Sequence, residues 1–147
     1  MMTDDQIREI YVKHRTIAVY GMSKDPEKPA HRVPVFLISK GYKIIPVNPT
    51  VDVILDRKCY PNLREVPDEI EIVDVFRSSD KALDVVKEAI ARKKERGDIS
   101  VLWLQLGIRN DEARRLAEAA GINFVQDRCM LREFKRLFQA QENGHSP

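Results

Sequence analysis

Four cationic residues follow short apolar runs that predict separate β-strands: Lys24, Arg77, Arg109 and Arg128. If these strands are parallel, their carboxyl ends meet at one edge of a sheet, where ligands bind in folds of this kind. Arginine and lysine at that edge favour an anion, because hydrogen bonds from a cation to a phosphate are strong. For any single one of these residues, a solvated loop cation is the alternative. Together they predict a site for a ligand that carries several phosphates.

The segment of residues 16–32 is predicted to form the phosphate end of such a site. An apolar run, residues 17–20, is broken by Gly21. Ser23, Lys24, Lys28 and Arg32 follow, and then an amphipathic stretch begins. A strand that turns sharply into a helix directs free backbone N–H groups and the positive end of the helix dipole at whatever lies in the turn. This pattern predicts an anion site but does not specify the anion.

A nicotinamide dinucleotide is disfavoured by two features of the sequence. Gly21 does not begin a Gly-x-Gly-x-x-Gly motif, and Asn48 and Pro49 stand where an acid would bind a ribose hydroxyl. A P-loop is excluded because the sequence has no Gly-Lys-Ser/Thr. An NAD(P)-dependent oxidoreductase or redox sensor on a Rossmann-like domain remains the alternative function. It would require catalytic groups that the sequence does not reveal.

Cysteine and histidine are too few and too scattered to predict a metal site. Cys59 and Cys129 are far apart in the sequence and form no Cys-x-x-Cys motif, and the histidines are His14, His31 and His145. This spacing disfavours a structural zinc site and a disulfide scaffold. We predict no catalytic residue and no metal ligand.

The composition predicts one soluble globular domain. The chain has 147 residues, of which 43% are hydrophobic and 33% charged, and its net charge is +2. This balance gives no general attraction to nucleic acid, and no apolar run approaches the ~20 residues that span a bilayer. The acidic N-terminus lacks an apolar signal core, so we expect a cytoplasmic protein with neither a nucleic-acid nor a membrane partner.

Apolar runs and amphipathic stretches alternate along the chain. Thr3 and Gln6 fit a capping box that opens an N-terminal helix within residues 1–15. Five strands are predicted at residues 16–20, 42–47, 71–76, 100–106 and 122–125. Helices are predicted at residues 30–40 and 80–96, after Asn110, and after Met130. Because proline is best tolerated in the first turn, Pro34 places the start of the first of these helices near residues 31–32.

Alternating strands and helices predict an α/β fold with a parallel sheet covered on both faces. We expect a Rossmann-like, doubly wound sheet of about five strands in the order 3-2-1-4-5. The ligand would lie at the switch point between strands one and four. The domain is expected to span residues 16–141, followed by a frayed tail at residues 142–147.

Several short motifs together resemble one known family, the small stand-alone CoA-binding domain proteins. This family is related to the N-terminal domain of the succinyl-CoA synthetase alpha subunit. The matching motifs are Gly21-Met22-Ser23 followed by Pro29 and Arg32, and then residues 44–49, 60–63, 72–77, 101–107 and 127–130. The resemblance extends from about residue 16 to residue 137, which is nearly the whole chain.

The resemblance implies that coenzyme A or an acyl-CoA lies across the strand ends. It implies that the phosphates are held by Gly21, Met22, Ser23, Lys24 and Arg32. It implies that the adenosine part is flanked by Val47, Asn48 and Pro49. It implies that the rest of the groove is lined by Phe76 and Arg77, that the pantetheine arm meets Gln105, Leu106 and Gly107, and that the thiol end lies near Cys129.

The resemblance also bears on activity and partners. It covers only the CoA-binding part of a synthetase, so we expect no independent catalysis. The expected protein partner is a second copy of the chain or a ligase subunit. A ligase subunit would dock on the apolar stripe of the last helix, and packing of that stripe on its own sheet is the alternative. If Cys129 faces the CoA sulfur, the two could form a mixed disulfide; a buried, inert thiol is the alternative.

Overall fold

The structure is a computed structural model, and it describes residues 2–139. Its elements in chain order are α1 (Asp4–Lys13), β1 (Thr16–Tyr20), α2 (Pro29–Ser39), β2 (Lys43–Val47), β3 (Val53–Ile54), β4 (Arg57–Lys58), β5 (Ile72–Val75), α3 (Ser79–Arg96), β6 (Val101–Leu104), α4 (Asp111–Ala119), β7 (Asn123–Val125) and α5 (Met130–Phe134). A π-helical turn, Lys135–Gln139, continues α5. The predicted tail and the last two residues of the predicted domain lie outside the described residues.

The main sheet has five parallel strands in the order β2-β1-β5-β6-β7. This confirms the Rossmann-like α/β class. Counted along the main sheet alone, the order is 2-1-3-4-5, whereas we expected 3-2-1-4-5. The switch point therefore lies between β1 and β5, the first and third main strands, and not between the first and fourth.

The outer edge of β2 explains why β5 does not pair there. Tyr60 forms a parallel bridge with Val47 at that edge. Its N–H donates to the Pro46 carbonyl at 3.0 Å, and its carbonyl accepts from the Asn48 N–H at 2.9 Å. Because a short segment already occupies this edge, β5 pairs with the free edge of β1 instead.

Helices cover both faces of the sheet, as predicted. On one face α3 and α4 pack their small apolar residues, such as Ala82, Ala89 and Ala117, against the strands. On the other face α1, α2 and α5 contribute larger residues, including Tyr11 and Leu37. The loops at the carboxyl ends of the strands are thereby held between two packed layers.

The N-terminal helix begins with the predicted capping box. The Thr3 hydroxyl accepts a hydrogen bond from the Gln6 N–H at 3.2 Å, and the Gln6 side chain accepts one from the Thr3 N–H at 2.8 Å. These bonds satisfy donors that would otherwise have no partner at a helix start. Ile7 and Tyr11 are then buried against the sheet.

Helix α2 differs from the prediction at Pro34. The helix begins at Pro29, so Pro34 lies beyond its first turn. A proline has no N–H, and the carbonyl of Ala30, four residues earlier, therefore lacks its helical donor. The Ser23 N–H donates to that carbonyl at 3.1 Å. Pro34 thus helps to fix the loop after β1 onto α2.

The segment between β2 and β5 contains an antiparallel hairpin, β3–β4, that we did not predict. Its later part is held by a buried arginine on α3. The Arg92 guanidinium donates to the carbonyls of Leu63, Val66 and Asp68 at 2.5–2.8 Å, and pairs with Asp98 at 2.9 Å. One side chain thereby satisfies several backbone acceptors in a segment without regular structure.

Candidate functional site

A cleft of about 540 Å³ lies at the carboxyl ends of β5 and β6, between the start of α2 and the start of α5. Its lining combines cationic, apolar and thiol groups. The residues that line it are Lys28, Pro29, Ala30, Arg32, Val33, Phe76, Arg77, Ser78, Gln105, Leu106, Ile108, Cys129, Leu131 and Arg132. Four cations beside an apolar surface suit a ligand with an anionic end and an apolar arm.

Six of the predicted site residues line this cleft: Arg32, Phe76, Arg77, Gln105, Leu106 and Cys129. The other eight do not: Gly21, Met22, Ser23, Lys24, Val47, Asn48, Pro49 and Gly107. Among these eight, Met22 and Val47 have no exposed surface, so their side chains belong to the core. The structure therefore brings together the predicted residues that directly follow β5 and β6, Cys129 at the start of α5, and Arg32 on α2.

Gly21 closes the switch point between β1 and β5. Its φ is +86°, and a Cβ at this position would lie 2.4 Å from the Phe76 carbonyl oxygen. Its N–H donates to the Val47 carbonyl at 2.8 Å. Only glycine accepts both this backbone angle and this close approach. Gly21 thus positions Phe76 and the cleft instead of lining it.

The loop after β1 is held mainly by its own hydrogen bonds. The Ser23 hydroxyl accepts from the Asp25 N–H at 3.0 Å, and His31 Nδ1 lies 2.8 Å from the Ser23 carbonyl oxygen. Asn48 joins this loop to the end of β2, because its side-chain amide donates to the Met22 carbonyl at 2.9 Å. Ser23 and Asn48 therefore fix the shape of the loop.

The four strand-end cations separate into different environments. Arg77 lines the cleft, whereas Lys24 is exposed and does not line it. Arg109 lies 3.8 Å from Asp127, and Arg128 donates to Glu133 at 3.2 Å. Those two arginines line a neighbouring hollow together with the acids that pair with them. Only Arg77 of the four therefore contributes to the cleft.

Two cationic lining residues, Lys28 and Arg132, were not among the predicted site residues, although Lys28 lies in the segment predicted to form the phosphate end. Lys28 stands immediately before α2, and Arg132 lies three residues after Cys129 on α5. The four strand-end cations follow strands directly, whereas these two residues approach the cleft from helix starts. The spacing of Arg132 from Cys129 is the sequence signal that would have found it, since residues three apart share a helix face.

Arg77 lies beside an aromatic ring at the end of β1. Its guanidinium carbon is 5.9 Å from the centre of the Tyr20 ring, within range of a cation–π interaction. The Tyr20 hydroxyl donates to Glu88 at 2.9 Å. Burial and the nearby Glu88 carboxylate raise the pKa of Tyr20 to about 12. Tyr20 is therefore neutral near pH 7 and presents a ring face to Arg77.

A buried acid that we did not predict lies on β5. Asp74 has no exposed surface, and its Oδ1 accepts a hydrogen bond from Gln105 Nε2 at 2.6 Å. Its Oδ2 has no hydrogen-bond partner among residues 2–139. Burial raises the pKa of Asp74 to about 7, although the Gln105 bond acts in the opposite direction. The signal in the sequence is a single acid inside a four-residue apolar strand.

Cys129 stands at the N-cap of α5 and is partly exposed. The preceding residue is anchored to β6, because the Trp103 indole N–H donates to the Arg128 carbonyl at 2.7 Å. Cys129 lines the cleft and is not a fully buried residue. Cys59 is buried and belongs to the core of the same face.

The apolar stripe of the last helix packs on its own domain. Phe134 makes edge-to-face contacts with Tyr11 and Phe36, at ring-centre distances of 5.4 and 5.5 Å. Leu137 is buried. This packing is the alternative to the docking face for a ligase partner.

Within residues 2–139, no helix is both long and apolar enough to cross a membrane. The same residues contain no cluster of three His, Cys, Asp or Glu side chains that could hold a metal ion.

The sheet order and the cleft beside its switch point define a Rossmann-like α/β domain with an anion-suited cleft at the carboxyl strand ends. The chain belongs to the CoA binding domain family, whose domain matches residues 15–135. Membership agrees with the family that the sequence motifs resembled.

Two curated proteins and one solved structure illustrate the similarity. Protein YneT of Bacillus subtilis, described as uncharacterized, is 36% identical over 125 residues, which is 85% of this chain and 89% of YneT. The ADP-forming acetate–CoA ligase II of Archaeoglobus fulgidus is 32% identical over 101 residues, but these are 67% of this chain and 15% of the ligase. A hypothetical protein from Pyrococcus horikoshii superimposes with a TM-score of 0.85 at 40% identity, covering 92% of each chain.

Proposed function

We propose that this protein binds coenzyme A or an acyl-CoA in the cleft at the carboxyl ends of β5 and β6. The observation that carries the proposal is the lining itself, in which four cations adjoin an apolar surface and one thiol. Coenzyme A has the matching chemistry, with phosphates at one end, a pantetheine arm that combines methyl and methylene groups with two amides, and a sulfur at the other end. Membership in the CoA binding domain family supports the same ligand.

In this proposal Arg32 and Arg77 meet the phosphates, and the Leu106 side chain, which is 52% exposed, packs against the pantetheine arm. Gln105 and Cys129 lie at the acyl or thiol end. The remaining predicted residues do not line the cleft and would act indirectly. Gly21, with Met22 to Lys24, Val47 to Pro49 and Gly107, would shape the loops that border the ligand.

We propose binding without independent catalysis. Among the described residues that line the cleft there is no His, Asp or Glu to act as a general base or acid. The similarity to a segment of an acetate–CoA ligase supports a CoA-binding role, alone or beside a partner that supplies chemistry. The end of β2 also favours CoA over NAD, because it carries Asn48 and not an acid that could bind a ribose hydroxyl. The Asn48 side chain instead donates to the Met22 carbonyl in the loop after β1.

Calorimetric titration with CoA, acetyl-CoA, NAD and NADP tests this function. We expect the two CoA ligands to bind and to raise the melting temperature, since a ligand bound only by the folded state stabilises it. Arg32→Ala should weaken CoA binding by about 1–2 kcal/mol, towards the lower range for a charge-assisted bond because Arg32 is exposed. Arg115→Ala, at an exposed position on α4, is the matched control.

The outcome that contradicts the proposal is a melting curve unchanged by millimolar CoA. Binding of NAD or NADP in preference to CoA would replace it with the dinucleotide alternative. Equal loss of affinity in Arg32→Ala and Arg115→Ala would show that general charge, and not this cleft, attracts the ligand.

A further inference from the structure

The Asp74 carboxyl is hydrogen-bonded to Gln105, which lines the cleft. It sits on the central strand β5, level with Val19 on β1 and Trp103 on β6, and is fully buried. Of its two oxygens, Oδ1 has one protein partner, the Gln105 amide, and Oδ2 has none among residues 2–139. A charged carboxylate with so few donors is costly to bury, so this site favours a bound proton.

Gln105 connects this carboxylate to the cleft. Its side chain is 3% exposed and forms part of the lining. An amide has a donor end and an acceptor end, and the end that faces Asp74 determines which end is left for the cleft. Beside a charged Asp74 the NH₂ must face the carboxylate, which leaves Oε1 for the cleft. Beside a protonated Asp74 the amide can turn over, accept the acid proton at Oε1 and present its NH₂ to the cleft.

We infer that Asp74 and Gln105 select a ligand carbonyl in this cleft and that one proton is taken up when the ligand binds. The inference rests on the proposed function, because it assigns the ligand to the CoA and acyl-CoA class. No covalent step is involved: a proton from solvent moves to the Asp74 carboxylate, and the Gln105 amide then donates to the ligand carbonyl.

Two effects favour protonated Asp74 when the ligand binds. A carbonyl oxygen needs the donor end of Gln105, which is available when Asp74 is protonated. A ligand that covers the cleft removes the remaining water near Gln105, which disfavours the charged carboxylate.

Other titratable groups on this face do not replace Asp74 in this role. On α1, the Tyr11 hydroxyl donates to the Met130 carbonyl at 2.8 Å, and burial followed by the charge of Asp74 raises the pKa of Tyr11 well above its usual range. From α5, Glu133 accepts hydrogen bonds from Arg128 and Arg136. The other charged groups at the cleft are cations: Lys28 just before α2, Arg32 on α2, Arg77 after β5 and Arg132 on α5. The Cys129 thiol lines the cleft before α5.

The test is calorimetric titration of the wild-type protein and Asp74→Asn with acetyl-CoA, from pH 6 to pH 9, in buffers of different ionisation enthalpy. Asparagine is neutral and can donate its NH₂ to Gln105 Oε1, so it imitates the protonated acid. The dissociation constant of the wild type should rise by up to tenfold per pH unit above pH 7, relative to Asp74→Asn. The wild type should take up as much as one proton more than the variant, and the variant should bind at least as tightly at pH 8.5.

Three features make the comparison specific. Ionisation of the ligand phosphates is common to both proteins and cancels in the difference. Asp84→Asn, an exposed substitution on α3, should behave as the wild type. Acetyl-CoA and the thioether S-ethyl-CoA distinguish the two carbonyl sources, because proton uptake with acetyl-CoA alone assigns the thioester and uptake with both assigns a pantetheine amide.

Equal proton uptake by the wild type and Asp74→Asn, with binding intact, overturns this inference and leaves the proposed function standing. No binding of any CoA ligand by either protein overturns both. A second measurement needs no variant: the ¹³C resonance of the Asp74 carboxyl in the wild type should titrate at higher pH when acetyl-CoA is bound. An unchanged titration likewise overturns the inference.

Discussion

The buried Asp74 should make folding stability depend on pH in a direction opposite to that of an ordinary salt-bridged acid. Burial raises the pKa of Asp74 from 3.8 to about 7. Between these values the unfolded chain has lost the proton while the folded chain retains it, so stability falls as pH rises. At about 1.4 kcal/mol per pH unit, the loss between pH 4 and pH 7 is about 4 kcal/mol. Above pH 7 this contribution is constant.

Asp74→Asn removes the titration while keeping the shape of the side chain. Its amide can still bond to Gln105, but one N–H stays without a partner, which costs about 1 kcal/mol. We therefore expect the variant to be about 1 kcal/mol less stable than the wild type at pH 4 and about 2–3 kcal/mol more stable at pH 8. This is a large change against a total stability of about 5–15 kcal/mol.

Urea unfolding followed by circular dichroism, repeated from pH 4 to pH 9, measures this difference. The matched control is Asp84→Asn, whose stability relative to the wild type should show no comparable rise between pH 4 and pH 7. A difference between Asp74→Asn and wild type that stays constant across this range would refute the reasoning, because it would mean that Asp74 titrates alike in the folded and unfolded chains. A stability advantage of Asp74→Asn that grows towards low pH would mean that folding lowers the pKa of Asp74 instead of raising it.

Three further predictions concern the loop after β1, the core and the thiol. Gly21→Ala places a Cβ 2.4 Å from a backbone oxygen and should destabilise the fold by more than about 2 kcal/mol in urea unfolding. Gly41→Ala, with a φ of +92° but nothing within 4 Å, isolates the cost of the backbone angle at about 1–2 kcal/mol, and equal losses would contradict the role of the clash. Arg92→Met leaves buried acceptors without donors and should cost about 3–5 kcal/mol by the same assay, while a loss below about 1 kcal/mol would refute a structural role for its hydrogen bonds. With CoA and the oxidant diamide, which takes up the two thiol hydrogens, Cys129 should gain the mass of one CoA that reductant removes; Cys129→Ser should gain none, and an unmodified wild type would place the thiol away from the CoA sulfur.

Local physical chemistry in the sequence determined most of the elements. The capping box of Thr3 and Gln6, the cap formed by Asn110 on α4 and the left-handed Gly97 after α3 all occur where the residue types predict them. Each depends on hydrogen bonds or backbone angles within a few residues, so no distant contact is needed to predict it. The α/β class follows in the same way from strands that are apolar on both faces.

The strand order was not determined locally. Both edges of the β2–β1 pair could receive the next strand, and the choice depends on Tyr60, which occupies the outer edge of β2. Pro34 is a similar case: its missing N–H is compatible with a position beyond the first helical turn because Ser23, eleven residues earlier, supplies the donor to Ala30. Neither partner can be identified from spacing.

The site shows the same division. The sequence by itself showed that cations and glycine follow the predicted strands. Because parallel strands end at one edge of a sheet, it predicted that these residues share that edge. The motifs that resemble the CoA-binding family added Arg32, Arg77 and Cys129 as predicted site residues. Only the tertiary structure decided which cations share a cleft, since pairing with Asp127 or Glu133 depends on loops that meet after folding. It alone decided the state of Asp74, because the pKa of an acid depends on how completely its neighbours exclude water.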